Sequence, residues 1–138
     1  MTDLLIHGLQ AAALGQIALA VLNFFLPNLL GWHDDLQRLS KLPREVFHVH
    51  AWFISIAVAL FGVLTWRFAE EFALGTHALA IWLTTGIGIV WGIRLVLQWT
   101  YYSWSHWRGN GPRTAAHLFL TLVYAGWAIG YFLGGRLG

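Results

Sequence analysis

Of 138 residues, 58% are hydrophobic and only 10% are charged, whereas about a quarter of the residues in ordinary soluble domains carry charge. No cysteine is present, which excludes disulfides, thiolate metal sites, iron–sulfur clusters and haem attached through C-x-x-C-H. The net charge of +2 comes from Lys and Arg spread over the ends of apolar runs, so no basic patch for nucleic acid exists and membrane lipid is the expected surrounding.

Four apolar stretches follow one another, at about 4–26, 50–68, 77–99 and 115–133, each near the ~20 residues a helix needs to cross the hydrocarbon core. The expected fold is therefore all-α: a polytopic integral membrane protein whose four transmembrane helices form one up-down four-helix bundle over residues 1–138. The first stretch lacks a basic n-region, its only early charge being Asp3, and reads as a span rather than a signal peptide. Pro27 is expected to close it. The connection that follows, PNLLGWHDDLQRLSKLPREV, is long enough for an amphipathic turn with Trp32, Leu36 and Leu39 in the interface.

Pro43 suits the start of the second span, where its missing N–H donor costs nothing. The short second connection, RFAEEFALGT, makes spans two and three antiparallel neighbours. After the third span, WTYYSWSHWRGNGPRT begins as an aromatic belt and ends in a Gly-Asn-Gly-Pro turn, with Thr114 as the expected cap of the last helix. Trp32, Trp66, Trp99, Trp104 and Trp107 fall at span ends and read as interfacial anchors. Gly88 and Gly92 form a GxxxG spacing suited to close helix packing, within the bundle or in a homo-oligomer.

Basic residues set the expected orientation. Arg38, Lys41 and Arg44 lie in the first connection and Arg108 and Arg113 in the third, whereas the opposite side holds only Arg67 and Arg136. The positive-inside rule places connections 27–49 and 100–114 in the cytoplasm and the termini outside, with a bacterial inner membrane as the expected location.

The histidines carry the functional reading. Residues two apart on a helix point roughly 200° apart, so His48 and His50 cannot both face one ion unless the helix starts between them. The His48 face continues through Trp52, Ser55, Ala59 and Gly62, mostly small and weakly polar; the His50 face continues through Phe53, Ile54, Ala57, Phe61 and Leu64. Small residues favour His48 as the inward one, while its greater depth favours His50, and both stay candidates. His117 shares a face with Thr121, Tyr124, Ala128 and Tyr131, and polar groups within a span face the protein interior. The third span places Thr84, Trp91, Arg94, Gln98 and Tyr102 on one face, and the first aligns Gln16, Ala20 and Asn23.

Topology brings the end of spans one and three and the start of spans two and four to the same side. Asn23, His48 or His50, Arg94, Gln98, Tyr102, His117 and Tyr124 are thus expected to converge there. Histidines from diagonal spans two and four suit the two axial positions of haem b, and Arg94 suits a haem propionate. His7 and His77, at the other end, are a fainter second diagonal pair. The arrangement resembles, in architecture alone, membrane b-type cytochromes that hold haem between histidines of a four-helix bundle; the resemblance implies electron transfer, with quinol as an exchange partner near Arg94 and Tyr102.

Two other classes compete. One is a non-catalytic small subunit or scaffold of a larger membrane complex, supported by short loops and the lack of a soluble domain. The other is a metal-dependent membrane enzyme in which His33, Asp34, Asp35 and Glu45 join His48, His50 or His117 around an ion. No Asp or Glu lies within a span core, which disfavours a proton- or cation-coupled carrier.

Overall fold

The computed structural model describes residues 2–100 and 111–136. Every regular element among them is helical: α1 (Thr2–Leu29), α2 (His33–Gln37), α3 (Lys41–Arg67), α4 (Ala69–Leu74), α5 (Ala78–Thr100) and α6 (Gly111–Leu133). Four of these, α1, α3, α5 and α6, are long and apolar enough to cross a membrane, as expected of an integral membrane protein. The described residues fall into two compact units, one drawn from 2–9, 68–100 and 111–136 and one from Gln10–Arg67.

In the second unit, α1 runs through Pro27 rather than stopping there. Proline lacks an N–H donor and its ring crowds the carbonyl one turn earlier, yet the ladder resumes beyond Pro27: Leu30 N–H donates to Leu26 O and Trp32 N–H to Pro27 O, both at 2.9 Å. The helix closes at Gly31, whose φ of 67° is a left-handed conformation that glycine adopts at little cost, and the Trp32 to Pro27 bond is the six-residue closure that accompanies it. The expected amphipathic turn is the short helix α2, with Leu36 buried and Trp32 and Leu39 exposed.

Helix α3 begins at Lys41, well before the apolar run. Pro43 is its third residue, still within the first turn where N–H groups have no intrahelical acceptor. Ser55, Val58, Gly62 and Thr65 form its buried stripe, at the three- and four-residue steps that keep one face. At Gly62 the stripe comes close to α1: a Cβ placed there would lie 2.7 Å from Ile17 Cγ1 and 2.8 Å from Ala13 O. Ser55 Oγ–H donates to Ala51 O at 2.9 Å, and one bond of the Gln16 amide, from Nε2 to Ala12 O at 3.2 Å, also stays within its own helix.

In the first unit, the second connection holds an element the sequence pattern did not announce, α4, whose Ala69, Phe72 and Ala73 are buried. Gly75 ends it at φ 62°, and Gly135 N–H donates to Ala73 O at 3.0 Å. A Cβ on Gly75 would lie 2.5 Å from Gly135 Cα, so the end of α4 and the chain just past α6 touch backbone to backbone.

Helices α5 and α6 pack along matched stripes: Ala80, Thr84, Ile87, Gly88, Trp91 and Gln98 on one, and His117, Tyr124, Ala128 and Tyr131 on the other. Gly88 is taken up by this packing, since a Cβ there would meet Tyr131 Cβ at 3.3 Å; a Cβ on Gly92 meets no described atom within 4 Å. Helix α6 starts at Gly111, so Thr114 lies inside its first turn rather than capping it. Pro112, with φ already fixed near the helical value, lets the helix begin earlier than the apolar run.

A candidate polar site at the α5–α6 seam

Spacing on α5 sets Trp91, Arg94 and Gln98 on one face at steps of three and four, and spacing on α6 sets His117 and Tyr124 seven residues apart, two turns along the same face. The seam joins them into a chain of polar contacts. Arg94 Nη1–H donates to Gln98 Oε1 at 3.0 Å, and Gln98 Nε2 lies 2.9 Å from His117 Nδ1 on the neighbouring helix. Gln98 and His117 are 2% and 4% exposed, and Arg94 is half-buried. A hydrogen bond between two buried side chains in lipid replaces contacts that water cannot supply there.

Aromatic rings enclose the chain. The Arg94 guanidinium carbon sits 5.0 Å from the centroid of the Tyr124 ring, within range of a cation–π attraction. Tyr124 stacks on Trp91 at 5.4 Å and 15°, and Trp127 meets Trp91 edge-on at 4.7 Å. Trp99 stands edge-on to His117, ring centroids 4.5 Å apart. Thr121 Oγ1–H donates to His117 O at 2.8 Å within α6. Among the described residues every buried side-chain nitrogen or oxygen has a hydrogen-bond partner.

Of the residues expected to converge, Arg94, Gln98, His117 and Tyr124 do so within one unit. Asn23, His48 and His50 belong to the other unit, and Tyr102 lies outside the described residues, as do Trp104 and Trp107. Because α3 starts at Lys41, both histidines sit on continuous helix and point to different faces. His48 is half-buried, beside Trp52 with ring centroids 6.1 Å apart, whereas His50 is exposed. His50 Nδ1 lies 2.9 Å from Val46 O, an acceptor, so in the neutral ring Nδ1 holds the proton and Nε2 the lone pair.

Three aromatic members escaped the sequence pattern as site residues. Trp99 reads as a belt anchor because it ends a span, yet its ring rests on His117. Trp91 shares the Arg94 face but offers no titratable group to draw notice, and Trp127 is recognisable only as the residue one turn from Tyr124.

The polar residues of the first connection stay local: His33 Nε2 and Gln37 Nε2 are 3.0 Å apart, and Arg38 Nη1 pairs with Asp35 at 3.6 Å, both on exposed side chains. Among the described residues no group of three or more His, Asp or Glu is placed to hold a metal ion. His7 and His77 are both exposed, and the carbonyl of His77 accepts from the N–H groups of Ala80 and Ile81 at the start of α5. No family model, no curated protein and no solved structure matches the chain.

Proposed function

We propose that this chain is a haem-binding electron-transfer protein of the bacterial inner membrane, exchanging electrons with quinol. The observation that carries the reading is the Arg94–Gln98–His117 chain, a cation, an amide and an imidazole held together inside two apolar spans. Ionisable groups at such depth are costly and accompany function rather than packing. Haem b supplies a one-electron carrier with two propionates and open axial positions.

The residues suit that group in part. Arg94 offers a forked donor set for a carboxylate, and Trp91, Tyr124, Trp127 and Trp99 supply flat apolar walls. His117 stands beside both as the axial ligand of the first unit. In the second unit, taken by itself, exposed His50 has its Nδ1 on Val46 O, which leaves Nε2 its lone pair, the tautomer that metal-bound histidines adopt. The excess of Arg and Lys in connections 27–49 and 100–114 supports a cytoplasmic position for this end of the spans.

An optical spectrum of detergent-purified protein, produced with haem available and recorded before and after dithionite, tests the reading. A Soret band with sharp reduced α and β bands is expected, and it should be lost in His117→Ala. Colourless protein would remove the electron-transfer reading in favour of a small non-catalytic subunit of a larger membrane complex. Bound metal without a Soret band would favour the metal-dependent alternative.

A further inference from the structure

The polar chain of the α5–α6 seam lies toward one end of the two helices, and the other end is built differently. There α4 meets the first turns of α5 and the chain that leaves α6. Its inward side is apolar, with Ala69, Phe72 and Ala73 buried, while Glu70 and the following Thr76 and His77 are exposed. On the helices beside it, Ala80 and Thr84 of α5 and Tyr131 of α6 are buried. The Thr84 hydroxyl turns back to Ala80 O and Ile81 O of its own helix, both at 3.0 Å.

The three residues past α6 hold α4 in place. Gly134 sits between α4 and α5, where a Cβ would stand 2.9 Å from Phe72 O and 3.1 Å from Thr84 Cγ2. Gly135 N–H donates to Ala73 O at 3.0 Å, and its left-handed φ of 74° brings it against Gly75, itself at 62°. Arg136 folds back over the joint. Its Nη1 donates to Phe132 O, one of the carbonyls that a helix end leaves without an intrahelical donor, and its Nη2 donates to Thr85 Oγ1 of α5 at 3.1 Å. A cation at that end also suits the α6 dipole.

We infer that residues 134–136 are a strap that holds α4 as a plug in this end of the α5–α6 seam and closes it to water. At Gly75 against Gly135 and at Gly134 against Phe72 O, backbone lies on backbone too closely for a methyl group, which leaves no gap of the size a water molecule needs. A plug made of side chains could turn aside one rotamer at a time. This one opens only when α4 or the strap moves as a body. Water and small ions then have no route from the α4 side to Thr84, or past it along the seam toward Trp91 and Arg94. Nothing bound in the seam is needed for this closure, so it stands or falls apart from the haem reading.

The chain has no cysteine, so a single introduced thiol reports alone. Thr84→Cys places one at a fully buried position beside α4, and Thr76→Cys places one at an exposed position before α5. Each is labelled in detergent with a charged methanethiosulfonate, which enters water but not the micelle interior. Labelling at Thr84→Cys should be slower on the order of a hundredfold, because the reagent reaches it only through local opening. Gly134→Ala keeps an ordinary helical-side φ but pushes a methyl group onto Phe72 O; added to Thr84→Cys, it should speed labelling about tenfold. Arg136→Gln, which removes the fork, should speed it less. Gly86→Ala, where a Cβ meets nothing within 4 Å, should leave it unchanged. Equal rates at Thr84→Cys and Thr76→Cys would overturn the plug. A slow Thr84→Cys rate that neither Gly134→Ala nor Arg136→Gln raises would overturn the strap, as would an equal rise in Gly86→Ala, the sign of general loosening. Should Gly134→Ala fail to fold, Arg136→Gln, a change on an exposed side chain, decides the matter by itself.

Discussion

Helix α3 and the α5–α6 pair both bury polar side chains, yet Ser55 and Gln98 are held differently. On α3, Ser55 directs its hydrogen bond to a carbonyl one turn earlier in its own helix. Such bonds hide a polar group without telling one helix where the other is. On α5 and α6, Gln98 reaches across to His117, and its other end is held by Arg94. A bond that crosses a seam fixes the register of two helices and the chemical state of both partners. At Gly62, α3 meets α1 through shape, a missing side chain set against Ala13 and Ile17.

That contrast is broken most directly by filling the α1–α3 gap. In Gly62→Ala the new methyl group would stand 2.8 Å from a backbone carbonyl, Ala13 O, as well as 2.7 Å from Ile17 Cγ1. A side-chain tip can turn aside, but the carbonyl moves only with its helix, so the cost is expected at ~1–3 kcal/mol. Thermal unfolding in detergent should show a clear drop in midpoint. An unchanged midpoint would mean that α1 and α3 do not approach this closely, and the shape half of the comparison would fail.

The α5–α6 half is tested by a double-mutant cycle on Gln98→Ala and His117→Ala. Interhelical hydrogen bonds in membrane proteins couple by about 0.6 kcal/mol on average and up to about 1.7, and the Arg94 charge behind Gln98 favours the upper part of that range. Stability measured for the wild type, both single variants and the double variant should therefore give a favourable coupling. Strict additivity would show that the two side chains do not meet, and the seam would lose its crossing bond.

The number, order and apolar character of the spans were legible in the sequence because each is a run of the length lipid imposes. Legible too was the inward face of α6, since His117, Tyr124, Ala128 and Tyr131 repeat at helical steps and are all buried. Helix limits were not legible, because hydropathy reports where lipid begins, whereas a helix continues as long as its backbone bonds do: α3 starts among the polar residues of Lys41–Glu45, and α1 passes Pro27 to end at Leu29. The short helix α4 was hidden for a related reason. Its buried face has only Ala69, Phe72 and Ala73, too few residues for a period to emerge. At the candidate site, the residue types on α5 and α6 could be named from their shared faces. The direction of the Gln98 amide could not, since it depends on which atoms of two neighbours touch it.

The smallest effect closes the comparison from the other side. In Ser55→Ala the buried hydroxyl and its 2.9 Å bond to Ala51 O disappear together, so no partner is stranded; the Ala51 carbonyl keeps the helical N–H that defines its turn. The lost bond is worth about 0.6 kcal/mol by the membrane average, and alanine returns up to about 0.5 kcal/mol through its higher helix propensity. The net change should lie near zero, with unfolding midpoints of the two proteins superimposed. A marked loss of stability would show that Ser55 does more than satisfy itself. The rule separating the two seams, that a group bonded within its own helix is neutral filling while one bonded across is structural, would then no longer hold for this protein.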